Sequence, residues 1–317
     1  MEEINTMKLK DNEDRNYDLK KDKINRLPMS IKNNDFNMYN NYTAKYSESE
    51  NMKLQPNLNF LNYKPNFSNE VFKYYINKKN LSLYKISEND RIRFLFERFQ
   101  NNQSLHCNIL FRSNNFYVYS ANTEHFIFSA HKIKNKLRIN YIIASDHEGN
   151  NKIGQINASL FKNEYIMYDN GKSPKENVNE KTNNYNNFRR YLLQVKLKNE
   201  NSFKRGYIFL PEMNVENNNL YNIDKDKKDK LSKLKNGVKL YKTEEPEYNL
   251  VKRRYLIKFS SRIKISSNKN FRLLEDNNKK NKVILECGKI KENAFIMDFS
   301  SPLSPIEAFG ISLSYLT

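Results

Sequence analysis

The sequence predicts an all-β domain with one buried helix, and three observations carry that expectation. From about Cys107 onward, short runs rich in β-branched and aromatic residues alternate with polar turns. All 7 glycines lie between Gly149 and Gly310, where strands must turn or bulge. The final segment, by contrast, opens with a helix-capping pattern and is apolar around most of its circumference.

Taken in order, residues 1–85 form an Asn- and Lys-rich segment with few aliphatic residues, poorest from Met1 to about Leu81. Such a stretch cannot offset a backbone entropy of ~1–2 kcal/mol per residue, so a disordered tail is expected. Short sticky pieces such as Phe60–Leu61–Asn62–Tyr63 could dock on a partner or on the barrel. Residues 86–106 read as a short helical lead-in, with Ile92, Leu95, Phe96 and Phe99 on one side of a helix over Ser87–Phe99.

Residues 107–317 make the barrel domain. Strands are expected at Phe116–Ser120, His125–Ile133, Asn140–Ser145, Tyr165–Gly171, Tyr191–Lys198, Gly206–Met213, Arg254–Ile265, Lys282–Ile290 and Ala294–Phe299. Asp169–Asn170–Gly171 is a hairpin signal. Lys172–Asn187 and Val215–Asn236 read as solvated loops. Ser304–Pro305–Ile306–Glu307 has the form of a capping box with Pro at the first helical position. The following Phe309, Ile311, Leu313 and Leu316 cannot share one helix face, so the helix belongs inside a core. Strands closed around it would remove exposed sheet edges.

Composition narrows the function. Hydrophobic residues are 38% of the chain, while 21 Tyr and 20 Phe, with no Trp, supply rings for a core. A net charge of +19 favours polyanionic partners, nucleic acid, anionic lipid or an acidic protein, without choosing among them. Cys107 and Cys287 are too few for a disulfide framework and point to a reducing compartment. No stretch is apolar and long enough to span a bilayer, and the charged N-terminus lacks a signal-peptide core. His106, His125, His131 and His147 show no metal-ligand spacing, and no phosphate loop, GxSxG or HExxH motif occurs. No enzyme, metal or cofactor is expected.

The closing stretch Gly288–Thr317 resembles the signature of the tubby-like family, with Phe295, Met297–Asp298–Phe299, Pro302–Leu303 and Ala308–Phe309 in place. Tyr255–Leu274 resembles a second family block, keeping Phe259, Arg262, Ser267, Lys269, Asn270 and Phe271. Tyr168–Gly171, Ile153–Gly154 and Leu210–Pro211–x–Met213 also fall in family order. The resemblance covers about Cys107 to Thr317. It implies a closed antiparallel twelve-stranded β-barrel threaded by the hydrophobic C-terminal helix.

It also implies a peripheral adaptor that binds phosphatidylinositol 4,5-bisphosphate, in the cytoplasm at the plasma membrane or another phosphoinositide-bearing membrane, with the nucleus a second address and a protein partner for the N-terminal tail. The headgroup-binding hairpin of the family matches Phe126–Ala144; Lys132 and Lys134 fall on family basic positions and Lys136 and Arg138 follow at alternating spacing, so these four are the candidate headgroup residues. If extended, this stretch would put all four on one side; a turn at Asn135–Lys136 would put cations on both arms of a hairpin. His131 and Ile133 replace basic family residues, and Asn157 stands where the family has arginine, with Arg112 and Lys152 as candidate compensators. Two other readings stay open: a nucleic-acid-associated protein acting in transcription, and a scaffold barrel that has lost lipid specificity.

Overall fold

The computed structural model describes residues 69–77, 86–100, 103–135, 138–171, 189–200, 203–212, 237–251, 253–277 and 280–317. Two helices lead in, α1 (Asn69–Ile76) and α2 (Glu88–Phe96). The strands are β1 (Ser104–Arg112), β2 (Asn115–Ser120), β3 (Phe126–Asn135), β4 (Arg138–Ala144), β5 (Lys152–Ala158), β6 (Glu164–Asp169) and β7 (Tyr191–Glu200). They continue as β8 (Phe203–Pro211), β9 (Val238–Thr243), β10 (Glu247–Asn249), β11 (Arg254–Leu256), β12 (Phe271–Asn277), β13 (Lys280–Lys291) and β14 (Ala294–Ser300), before helix α3 (Pro305–Leu316).

All strands except β10 and β11 form one closed barrel of twelve antiparallel staves, β14 returning to pair with β1 from Ser104↔Ser300 to Leu110↔Ala294. Closure leaves no sheet edge for another chain to extend. Inward positions follow the period of two: Leu105, Cys107 and Ile109 on β1, and Phe116, Val118 and Ser120 on β2, are buried. Cys107 and Cys287 both pair with Met297 from opposite sides, so a stave lies between them. Both thiols are free and buried, and burial raises the pKa of each, that of Cys287 to about 12.

Helix α3 fills the lumen, and all its residues from Pro305 to Leu316 are buried. Its capping box is complete: the Glu307 N–H donates to Ser304 Oγ (3.3 Å), and the Ser304 N–H donates to Glu307 Oε2 (3.0 Å). The hydroxyls of Ser312 and Ser314 return bonds to their own helix, at Ala308 O (2.9 Å) and Ile311 O (2.6 Å), so neither is orphaned. The barrel thus has a proximal end, where α3 begins, and a distal end, where it finishes. The β1–β2, β3–β4, β5–β6, β7–β8 and β13–β14 turns share the distal end.

Four sequence expectations differ from the structure. The stretch Asn69–Ile76, read as part of the tail, is helical, because Val71 and Tyr75 find apolar partners in α2 and the barrel. Tyr75 stacks on Phe94 at 4.9 Å, and Phe72 meets Phe99 edge-on at 5.3 Å. Arg254–Ile265 is not a stave. Its first residues pair in the β10–β11 ribbon, and the rest is an arm across the outside of the barrel. Arg262 is held by Asp298 and by Asn108 Oδ1 (3.0 Å), and Ile263 fills the space above Gly288. Asp169–Gly171 is not a tight hairpin. Asp169 accepts the Gly171 and Arg190 N–H groups and pairs with the Arg190 side chain at 2.6 Å, joining the two ends of an excursion over 172–188. β9 and β12 are not among the strands that the sequence predicts. The Phe60–Tyr63 piece and the greater part of both polar interruptions lie outside the described residues.

Candidate functional site

The hairpin arrangement holds for the basic stretch: β3 ends at Asn135 and β4 begins at Arg138, the two paired across the turn. Lys134 pairs with Ile139, and Lys136 lies outside the described residues. Lys132, half-buried, sits opposite Tyr141, which in turn sits opposite Ile156. Paired residues share a face, and Tyr141 and Ile156 are buried, so Lys132 occupies the lumen-side face near the distal rim. His131 and Ile133 take the outer face by alternation. Ile133, Asn140 and Asn157 form one outer row, and Asn140 Oδ1 is buried without a partner among the described residues. Two of the three positions that depart from the family pattern, Ile133 and Asn157, thus share an uncharged outer row with Asn140, while His131 lies in the next outer row with Ile142 and Gln155. Lys152 begins β5 at the proximal end and donates to Gln155 Oε1 (3.0 Å), too far along the strand to replace charge at Asn157. Arg112, exposed at the end of β1, is at the distal end.

The lumen-side rim gathers cations that the sequence did not single out. Lys162, in the β5–β6 turn, donates to Thr317 O (3.1 Å), and Lys269 donates to Leu316 O. Lys204, on β8, lies 5.8 Å from the centre of the Tyr315 ring. Lys289, near the end of β13, has the same parity as buried Cys287. The Tyr165 hydroxyl bonds Thr317 Oγ1 (2.9 Å). Burial pushes the Tyr141 phenol up to about 12, and it too hydrogen-bonds Thr317.

These ammonium groups feel one another. Burial lowers the Lys204 pKa, and the charge of Lys162 lowers it further. Burial also lowers that of Lys269, followed by Lys204, Lys162 and Lys289. A helix C-terminus presents only about half a negative charge. Lys162, Lys204, Lys269 and Lys289 gather about this end of α3. Lys269 and Lys289 lie in the two recognised blocks, but Lys162 and Lys204 come from a turn and a strand outside them, and only barrel closure brings the four together.

At the proximal end the first turn of α3 is held by an ion pair. Arg98 grips Glu307 through Nε (2.9 and 3.1 Å to its two carboxylate oxygens) and also donates to Pro211 O (2.8 Å). Among the described residues no group of three or more His, Cys, Asp and Glu could hold a metal.

Twelve antiparallel staves closed on a wholly buried apolar helix define the helix-threaded barrel of tubby-type proteins. The chain belongs to the Tub family, whose model matches residues 95–317. It is 26% identical over 208 residues to Tubby protein homolog 1 of Caenorhabditis briggsae, covering 60% of this chain and 48% of that protein. It is 26% identical over 218 residues to human Tubby-related protein 2, covering 63% of this chain and 41% of that one. Human Tubby-related protein 3 matches at 24% over 217 residues, 63% and 48% of the two chains. The matched part thus spans about half or less of each of these relatives.

Proposed function

We propose that this chain is a non-catalytic peripheral membrane adaptor that binds phosphoinositide headgroups, phosphatidylinositol 4,5-bisphosphate foremost, at the distal end of its barrel. The observation that carries the reading is the cluster of lysines at the distal mouth, with Lys132 on the lumen-side face there. A multivalent phosphate needs several cations within reach of one another. Lys134 and Arg138, on the paired strands β3 and β4, complete the proposed site together with Lys136. No helix among the described residues is long and apolar enough to cross a membrane, which accords with surface attachment. Attachment at a cytoplasmic leaflet, and a protein partner for the N-terminal segment, belong to the same proposal.

The test is vesicle binding at physiological salt, comparing phosphatidylinositol 4,5-bisphosphate with phosphatidylserine at matched total charge. Each cation near an anionic surface contributes about 1 kcal/mol. Lys132→Glu with Lys134→Glu is therefore expected to weaken binding by at least roughly thirtyfold, with an unchanged circular dichroism spectrum. Undiminished binding by the folded double variant would overturn the site. Equal weak binding to both lipids would favour a scaffold barrel. A basic chain also binds nucleic acid at low salt; sequence-selective binding that survives physiological salt would favour the transcriptional reading.

A further inference from the structure

The β5–β6 connection is built as a rigid turn that holds two large apolar side chains in water. The Lys162 N–H donates to Ser159 O (2.9 Å), which makes Leu160 and Phe161 the two corner residues. The Ser159 hydroxyl donates to Asn163 Oδ1 (2.7 Å) and accepts from the Asn163 and Glu164 N–H groups (3.2 and 3.1 Å). Lys162 has a φ of 53°, the left-handed residue that closes such hairpins, and its ammonium is tied to Thr317 O. Leu160 is 66% exposed and Phe161 83%.

Turn corners ordinarily carry Gly, Pro, Asn, Asp or Ser, because nothing at a corner can be buried in the parent fold. Here a Leu-Phe pair stands at the corner of a turn closed by the Lys162–Ser159 backbone bond and by three bonds of the Ser159 hydroxyl. Lys162 is adjacent, and Lys204, Lys269 and Lys289 stand on the same rim. The β10–β11 ribbon joins the barrel at this end, where Tyr255 lies 6.1 Å from Phe203 at the start of β8. Beyond β10 come Leu250 and Val251, 82% and 93% exposed. Apolar tips beside a cationic rim complement an anionic bilayer: ammonium groups meet headgroup phosphates while aromatic and aliphatic side chains enter the interface.

We infer that the distal end docks end-on to an anionic membrane, with Leu160 and Phe161 inserting at the headgroup–acyl boundary as a hydrophobic anchor. This rests on the membrane-binding reading above and adds to it an orientation and an insertion depth. Headgroup capture then supplies selectivity, while the turn supplies residence on the surface.

The chain has no tryptophan, so Phe161→Trp in the full-length protein places a single fluorophore at the corner. The probe is vesicles of phosphatidylcholine containing phosphatidylinositol 4,5-bisphosphate, with and without shallow- or deep-labelled quencher lipids. Insertion predicts a blue shift on adding vesicles and stronger quenching by the shallow label. Leu160→Ser with Phe161→Ser should weaken vesicle binding roughly tenfold or more, while affinity for soluble inositol 1,4,5-trisphosphate stays unchanged. Cosedimentation with unchanged tryptophan emission would overturn the insertion and leave the membrane reading standing. Failure to cosediment at all would overturn both.

Discussion

At the scale of single residues, the strongest constraint on the lumen helix comes from a side chain 209 positions away. Arg98 and Glu307 face each other with side chains 14% and 4% exposed, closing at 2.6 Å. Glu307 is at once a member of the capping box and the acceptor for Arg98. Burial works against the Arg98 charge, and the adjacent carboxylate more than restores it, so its pKa stands above the ordinary value. Removing one partner leaves a buried charge uncompensated. Arg98→Ala is expected to destabilise the fold by about 3–5 kcal/mol in urea denaturation, whereas Arg98→Met with Glu307→Met should recover much of the loss. The capping box was legible because it is local; Arg98 was not, because no sequence pattern links a lead-in helix to the end of the chain. Alternation along β3 separated Lys132 from Ile133. Which of those faces looks into the barrel depended on pairing with Tyr141.

At the scale of elements, the reading succeeded where a strand is apolar on both sides of the alternation or sits between clear turns. It failed at β12, FRLLEDN, which mixes apolar with charged residues and ends in a polar run that looks like loop. It also took the arm over Arg254–Ile265 for a stave. That segment alternates well, but its ladder partners are taken: β12 pairs with β9 and β13 instead. The two recognised blocks turn out to hold the architecture together. Asp298 of the closing signature binds Arg262 of the upstream block, and Phe271 stacks on Tyr315 at 4.0 Å. Such motifs identify a fold with confidence and say little about a ligand. Helix and wall also meet at Gly206, where a Cβ would come within 2.3 Å of the Tyr315 hydroxyl and 3.2 Å of Thr243. The Tyr315 ring is clamped by Phe271 and its hydroxyl bonds Thr243 Oγ1, so it cannot swing away. Gly206→Ala should therefore cost about 1–3 kcal/mol by overpacking, read as a lowered thermal midpoint with β-structure retained.

At the scale of the molecule, the folded unit extends beyond the family-matched residues 95–317. α1 and the first turns of α2 precede that region, yet their side chains belong to the same core. Val71, Tyr75, Ile92 and Phe94 are buried together with Phe99, which stacks on Phe299 of β14 at 5.0 Å. The Tyr75 carbonyl accepts from the Ser120 and Thr123 hydroxyls, fastening α1 over the β2–β3 turn. Composition hid this helix, since NEVFKYYI follows a long polar stretch and is too short to be stable alone. Packing supplies what propensity does not. Burying a large apolar side chain contributes about 1.5–3 kcal/mol, so loss of Val71 and Tyr75 alone removes roughly 3–6 kcal/mol. A chain beginning at residue 86 is accordingly expected to unfold at a markedly lower urea concentration than the full chain. It should also expose Phe94 and Phe99 to a hydrophobic dye. The distal mouth lies at the other end of the barrel, so vesicle binding below the unfolding transition should be unchanged by this truncation. A shortened chain as stable as the full one would show that α1 merely rests on the barrel, and parallel loss of lipid binding would place part of the membrane contact at the proximal end.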